Sequence, residues 1–125
     1  SYMGDTEATI KHAEHAIRIS PRNPSHWVAY SCIAAAHLQE MRYKEAAEAA
    51  KKAVQLNNYM IPAHLILAAS CAHFGRLDEA QAAIKESLKL NPKLTIARLP
   101  EFFPISNFKN LDVYLDGLRK AGLPE

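Results

Sequence analysis

The side chains of this sequence that could do chemistry are six histidines and two cysteines. His12 and His15 stand three residues apart, so on a helix they share a face and could hold a metal ion together. No third ligand lies near them, which favours a solvated or packing pair. Cys32 and Cys71 lie in apolar stretches that favour buried free thiols over reactive thiolates, and such thiols suit a reducing compartment. The four glycines are scattered, so they form no phosphate-binding loop.

The sequence therefore predicts no catalytic residue, no metal site and no cofactor. Its 125 residues suffice for one domain, and 49% hydrophobic with 22% charged residues is ordinary for a soluble globular fold. A net charge of +2 with both signs interspersed predicts neither nucleic acid nor a membrane as partner. No signal peptide or membrane span is visible, so we expect a cytoplasmic protein.

An internal repeat organises the chain. Residues 43–46 match residues 77–80, and residues 53–57 match residues 87–91, both at an offset of 34. Residues 16–21 form a third copy, which lies 37 residues before its match in the middle unit. We place the three extra residues between Ala34 and Tyr43, as an extended first helix and a longer turn. Helix–turn–helix units of 34 residues are typical of tetratricopeptide (TPR) repeats.

Side-chain volumes agree with this period, because small residues recur where paired helices approach each other. In the three second helices these residues are Thr9, Ala13 and Ala16, then Ala46, Ala50 and Ala53, then Ala80, Ile84 and Ser87. The first helices alternate large and small residues, from Trp27 to Ala34 and from His64 to Cys71. Residues 5–125 thus resemble a TPR domain, which implies an all-α TPR-type superhelix.

We expect helices at 5–19, 24–40, 43–57, 61–74, 77–90, 94–99 and 108–121. Residues 1–125 then form a single TPR domain fragment. Its parts are the second helix of a truncated repeat (5–21), two repeats (24–60 and 61–94), and an aborted repeat with a C-terminal capping helix (95–125). The third unit aborts because Pro100 falls where a helix interior would be. The amphipathic final helix would cover the last apolar face of the array.

The C-terminal part resembles one group of proteins more specifically. Ile96-Ala97-Arg98-Leu99, Phe102-Phe103-Pro104 and the stretch from Tyr114 to Glu125 are similar to the C-terminal ends of bacterial class III adenylate/guanylate cyclases that carry TPR tails. Related tails follow winged-helix regulators. The resemblance implies a regulatory TPR module of a bacterial signalling protein, C-terminal to a cyclase domain or to a winged-helix transcriptional regulator.

The TPR resemblance also implies a concave groove lined by the first helix of each repeat. Its candidate contact residues are Val28, Cys32, Ala35, Leu65, Ala69 and His73. The groove lacks the Lys, Asn and Arg that grip a carboxylate in chaperone-binding TPR clamps. An apolar helix or extended segment fits it better, from a partner protein, the upstream domain or a second subunit. The chain's own segment 100–108 could also fill it.

These residues predict a non-catalytic protein–protein interaction module. A structural spacer or homodimerisation element is the alternative.

Overall fold

The computed structural model describes residues 6–125, so residue 5, where the first helix was expected to begin, lies outside the described residues. The seven α-helices of this part of the chain are α1 (Thr6–Ile19), α2 (Trp27–Gln39), α3 (Tyr43–Leu56), α4 (Ile61–His73), α5 (Leu77–Leu90), α6 (Leu99–Phe102) and α7 (Leu111–Ala121). A 3₁₀ turn, Pro24–His26, leads directly into α2. None of these helices is long and apolar enough to cross a lipid bilayer.

Small buried residues hold consecutive helices close together. Helix α2 packs on α3, α4 packs on α5, and α4 also contacts α3 and α2. Ala34 and Ala68 on the first helices, and Ala46 and Ala80 on the second helices, are fully buried. Alanine at these positions lets the helix backbones approach closely and adds no cost in side-chain entropy. The predicted all-α TPR-type fold is confirmed.

In both complete repeats the same kind of turn joins the first helix to the second. Met41 and Gly75 both have left-handed backbones, with φ of 60° and 87°. The next residue's N–H then bonds back into the helix, from Arg42 to the His37 carbonyl at 2.9 Å and from Arg76 to the Cys71 carbonyl at 2.8 Å. This is the Schellman arrangement, in which a left-handed residue ends a helix. The expected longer turn in the first repeat is therefore wrong, because both turns have the same length.

The extra residues of the first repeat lie instead inside its first helix. His26 and His64 are both buried, and each Nε2 hydrogen-bonds a carbonyl six residues earlier, of Ser20 and Asn58 respectively. The two histidines are equivalent and stand 38 residues apart, whereas the turns that end the helices stand 34 apart. One additional helical turn, about 3.6 residues, accounts for the difference. The expected extension of the first helix is thus confirmed, but its expected place between Ala34 and Tyr43 is wrong, because the fully buried Ala34 and Ala68 already stand 34 residues apart.

The C-terminal part departs from the repeat pattern. The short helix expected at 94–99 is wrong, because α6 begins at Leu99 and has Pro100 in its first turn, where the missing N–H costs nothing. The residues before α6 pair with the end of the chain. Ile96 N–H donates to the Pro124 carbonyl at 2.8 Å, and Ala97 N–H donates to the Glu125 carbonyl at 3.0 Å.

Candidate protein-binding surface

Helix α7 covers the concave face of the second complete repeat. It makes its most extensive contacts with α4 and smaller ones with α5 and α2. Leu65 and Ala69, two of the predicted contact residues, are fully buried. A Cβ built on Gly117 of α7 would lie 2.8 Å from the Ala69 carbonyl oxygen, so the two helices meet backbone to backbone. The chain therefore fills this half of the groove itself, with α7.

His73 links three helices at the end of this contact. Its Nε2 donates to the Val113 carbonyl of α7 at 2.7 Å. Its imidazole ring stacks on the Tyr43 ring of α3, with centroids 4.8 Å apart. Lys120 Nζ lies 3.4 Å from the remaining ring nitrogen, Nδ1. His73 therefore serves internal packing, and its predicted partner contact, like those of Leu65 and Ala69, stays a prediction that requires α7 to move.

Gln39 is the residue of α2 that corresponds to His73, and the sequence argument missed it. Lys109 N–H donates to Gln39 Oε1 at 2.8 Å, and Asn110 Nδ2 donates to the Gln39 carbonyl at 2.7 Å. The two positions are 34 residues apart, which is the offset between the helix ends. We aligned the first helices at 37, and that offset pairs His73 with Ala36 and hides Gln39. Aligning the two first helices on their left-handed end residues, Met41 and Gly75, pairs Gln39 with His73.

Glu40 strengthens this anchor beside Gln39. Its carboxylate accepts a hydrogen bond from Lys109 Nζ at 2.9 Å and another from Thr6 Oγ1 at 3.0 Å. These two hydrogen bonds hold the pKa of Glu40 below its ordinary value, because both favour the ionised form. The beginning of α7 is thus fixed to the end of α2, and α1 is fixed to the same point.

The other predicted contact residues lie on α2 and are less buried. Val28 is 48% exposed, Cys32 is exposed and Ala35 is half-buried. Val28 and Cys32 line an open groove of about 1000 Å³ between α1 and α2, which we call the α1–α2 groove. Thr9, His12 and Ala16 of α1 and Ala29 of α2 also line it. No Asp, Glu, Lys or Arg is among the described residues that line it, so its surface is largely apolar.

The two cysteines differ in accessibility, contrary to the expectation that both are buried. Cys71 is fully buried, and burial raises the pKa of its thiol, so it is unreactive at neutral pH. Cys32 is an exposed free thiol in the wall of the α1–α2 groove. The rate at which Cys32 reacts with a thiol reagent can therefore test whether that groove is occupied.

A second cavity, of about 470 Å³, is lined by residues of α1, α2 and α3 and contains several charged side chains. Glu14, Arg18, Glu45 and Lys52 line it together with His37. The pKa of His37 is lowered, first by burial and then by the positive charge of Arg42. Within residues 6–125 no three His, Cys, Asp or Glu side chains are grouped so as to hold a metal ion.

A comparison with known protein families shows to which family this chain belongs. The family model described as anaphase-promoting complex, cyclosome, subunit 3 matches residues 3–87, well over half of the chain. The chain belongs to this family. No curated protein matches it. The TPR-like region of this family together with the observed helix pairs makes the chain a protein–protein interaction module, and its partners are proteins in general.

Proposed function

We propose that the chain binds an α-helix of another protein in the α1–α2 groove. The observation that supports this proposal is the division of the predicted contact surface. Helix α7 occupies the part over Leu65 and Ala69, whereas Val28 and Cys32 line an open apolar groove. Exposed apolar surface in a concave groove is favourable for docking, because covering it removes apolar area from water.

The shape of the groove favours a helix over an extended peptide. Its lining follows α1 from Ala8 to Ile19, which is about 16 Å at the helical rise per residue. Both walls are helices, whose backbone hydrogen bonds are satisfied internally. An extended segment would therefore find no free strand edge to pair with, whereas the apolar stripe of an amphipathic helix can pack along the groove.

Selection from a phage-displayed peptide library tests this function without a known partner. We expect peptides selected on the wild-type chain to lose binding to Val28→Glu, because the glutamate places a charge in the apolar wall. Leu77→Glu is the matched control, because Leu77 is 47% exposed on α5, away from the groove. Failure to enrich any peptide, or equal binding to Val28→Glu, would overturn the proposal.

The regulatory setting is a further part of the proposal. We infer a TPR tail that contacts a catalytic or DNA-binding domain, and the support is the resemblance of residues 96–125 to the tails of bacterial cyclases. The matched family region ends at residue 87, before that segment begins. Sedimentation equilibrium over a concentration series tests the alternative. A stable dimer would favour a homodimerisation element, and a monomer would favour binding to a different protein.

A further inference from the structure

The α1 wall of the α1–α2 groove corresponds to surfaces that are covered in the complete repeats. The equivalent residues are buried on α3 (Ala46, Ala49, Ala50 and Ala53) and on α5 (Ala80, Ala83, Ile84 and Ser87). On α1 the corresponding positions are Thr9, His12, Ala13 and Ala16, of which only Ala13 is buried. In each of the two complete repeats, this face of the second helix is thus covered by other helices of the chain.

The α2 wall of the groove is also more exposed than the equivalent surface of α4. Counted from the left-handed turns, Cys32 corresponds to Ile66 and Ala29 corresponds to Ala63 on α4. Ile66 and Ala63 are buried, whereas Cys32 is exposed and Ala29 is half-buried. Since α1 already packs on α2, the second helix of the preceding unit is in place. The element that would bury Cys32 is the first helix of that unit.

We infer that the α1–α2 groove accepts one α-helix from a partner in the position of a repeat's first helix, and that this helix carries acidic residues along one flank. This inference rests on the proposed function and specifies its ligand. In the complete repeats, α2 covers α3 and α4 covers α5. The occupant therefore alternates large and small residues as α4 does at Leu67, Ala68 and Cys71, which are all buried.

The basic residues of α1 are the reason to expect acidic residues on the bound helix. His12 lines the groove, and Lys11 and His15 are exposed on the adjoining surface of the helix. The carboxylates of α1 lie on the other side, where Glu7 pairs with Arg42 and Glu14 lines the cavity towards α3. A carboxylate on the flank of an incoming helix would meet basic groups and no acidic ones from α1.

A second copy of the chain is a poorer occupant. A twofold dimer through this surface would place one concave groove against another, although such an interface has to be self-complementary.

Two synthetic helical peptides of about 16 residues, long enough to cover α1, test the inference. Both carry the large–small apolar stripe, and one has glutamates and the other lysines along one flank. By fluorescence anisotropy at low salt we expect the glutamate peptide to bind about tenfold more tightly, and the difference should shrink at high salt. Bound peptide should also slow the reaction of Cys32 with a thiol reagent, which locates it in the groove.

Charge reversal on α1 provides the matched variants. Lys11→Glu combined with His15→Glu should reverse the preference, so that the lysine peptide binds more tightly. Lys44→Glu combined with Lys85→Glu makes a larger change in net charge, −4 against −3 with neutral histidine, at exposed positions of α3 and α5 and should still leave the preference unchanged.

Each other outcome removes a defined part of the inference. Equal affinity for the two peptides would exclude the acidic flank and keep the helix. If neither peptide bound while library peptides still required Val28, completion of the repeat would be excluded and the proposed function would stand. If neither the helical peptides nor any library peptide bound, both the inference and the proposed function would be excluded. A dimer that Ala16→Arg dissociates would show that a second copy occupies the groove.

Discussion

Gly117 of α7 lies against Ala69 of α4 so closely that a Cβ on the glycine would be 2.9 Å from the Ala69 Cβ. Real Cβ atoms essentially never approach so closely, so the contact requires a glycine on one helix and a small residue on the other. This pair determines how deeply α7 sits in the concave face. It also explains why that half of the groove is closed to an external helix while α7 stays in place.

The substitution Gly117→Ala should therefore destabilise the fold, although alanine is the better helix former. Overpacking costs about 1–3 kcal/mol, and the gain in helix propensity is about 1 kcal/mol, so we expect a net loss of up to about 2 kcal/mol. Urea unfolding measures it. Asp116→Ala, at an exposed position of the same turn, should change the free energy of unfolding by less than about 0.5 kcal/mol. An equally stable Gly117→Ala protein would mean that α7 does not pack this closely.

Asn110, at the start of α7, combines a left-handed backbone (φ 58°) with a hydrogen bond from its side chain to the Gln39 carbonyl. Asn110→Gly keeps the conformation and loses the hydrogen bond, which should cost about 1 kcal/mol. Asn110→Ala loses both and should cost about 2–3 kcal/mol, because alanine resists a left-handed backbone. Urea unfolding of the two variants separates the two contributions. Equal stability of the two variants would show that the backbone conformation at Asn110 carries no strain.

The repeat period was sufficient to predict the fold, because burial at 34-residue spacing follows directly from side-chain volume. Alanines at 46, 50 and 80 recur where helices touch, and the structure buries all three. The extra turn in α2 was harder to place, since an added helical turn leaves the amphipathic pattern nearly unchanged. The burial of His26 beside Ser20 revealed it.

The candidate site was less predictable than the fold. Val28 and Leu65 were expected to share one groove, yet α7 covers Leu65 and leaves Val28 exposed. The position of α7 depends on long-range contacts, from Gly117 to Ala69 and from Lys109 to Glu40, which no local sequence pattern encodes. The sequence did indicate an amphipathic final helix but not which surface it covers.

Met41 offers a stabilising substitution, because it holds the left-handed position that Gly75 fills in the next repeat. A left-handed backbone costs a non-glycine residue about 1–2 kcal/mol, and added flexibility of the unfolded chain offsets about 0.4–1 kcal/mol of the gain. Met41→Gly should therefore raise the free energy of unfolding by about 0.5–1 kcal/mol, measured by urea titration. Met41→Ala is the control and should give no comparable gain. A less stable Met41→Gly protein would show that the half-exposed Met41 side chain contributes more than its backbone costs.

His37 should make stability depend on pH. Burial lowers its pKa below the ordinary 6.5, and its Nδ1 is buried without a hydrogen-bond partner among the described residues. The unfolded chain therefore takes up a proton at a higher pH than the folded chain does. This contribution to stability is complete above about pH 6.5 and is lost as the pH falls through the folded pKa.

Urea unfolding at pH 7.5 and pH 5.0 checks this contribution. Wild-type protein should lose more stability between the two pH values than His37→Gln, which cannot take up this proton. His15→Gln, at an exposed position of α1, controls for the removal of any histidine and should keep the wild-type loss. If His37→Gln lost as much stability as the wild type, protonation of His37 would not be what weakens the fold. The acid sensitivity between these two pH values would then come from other groups.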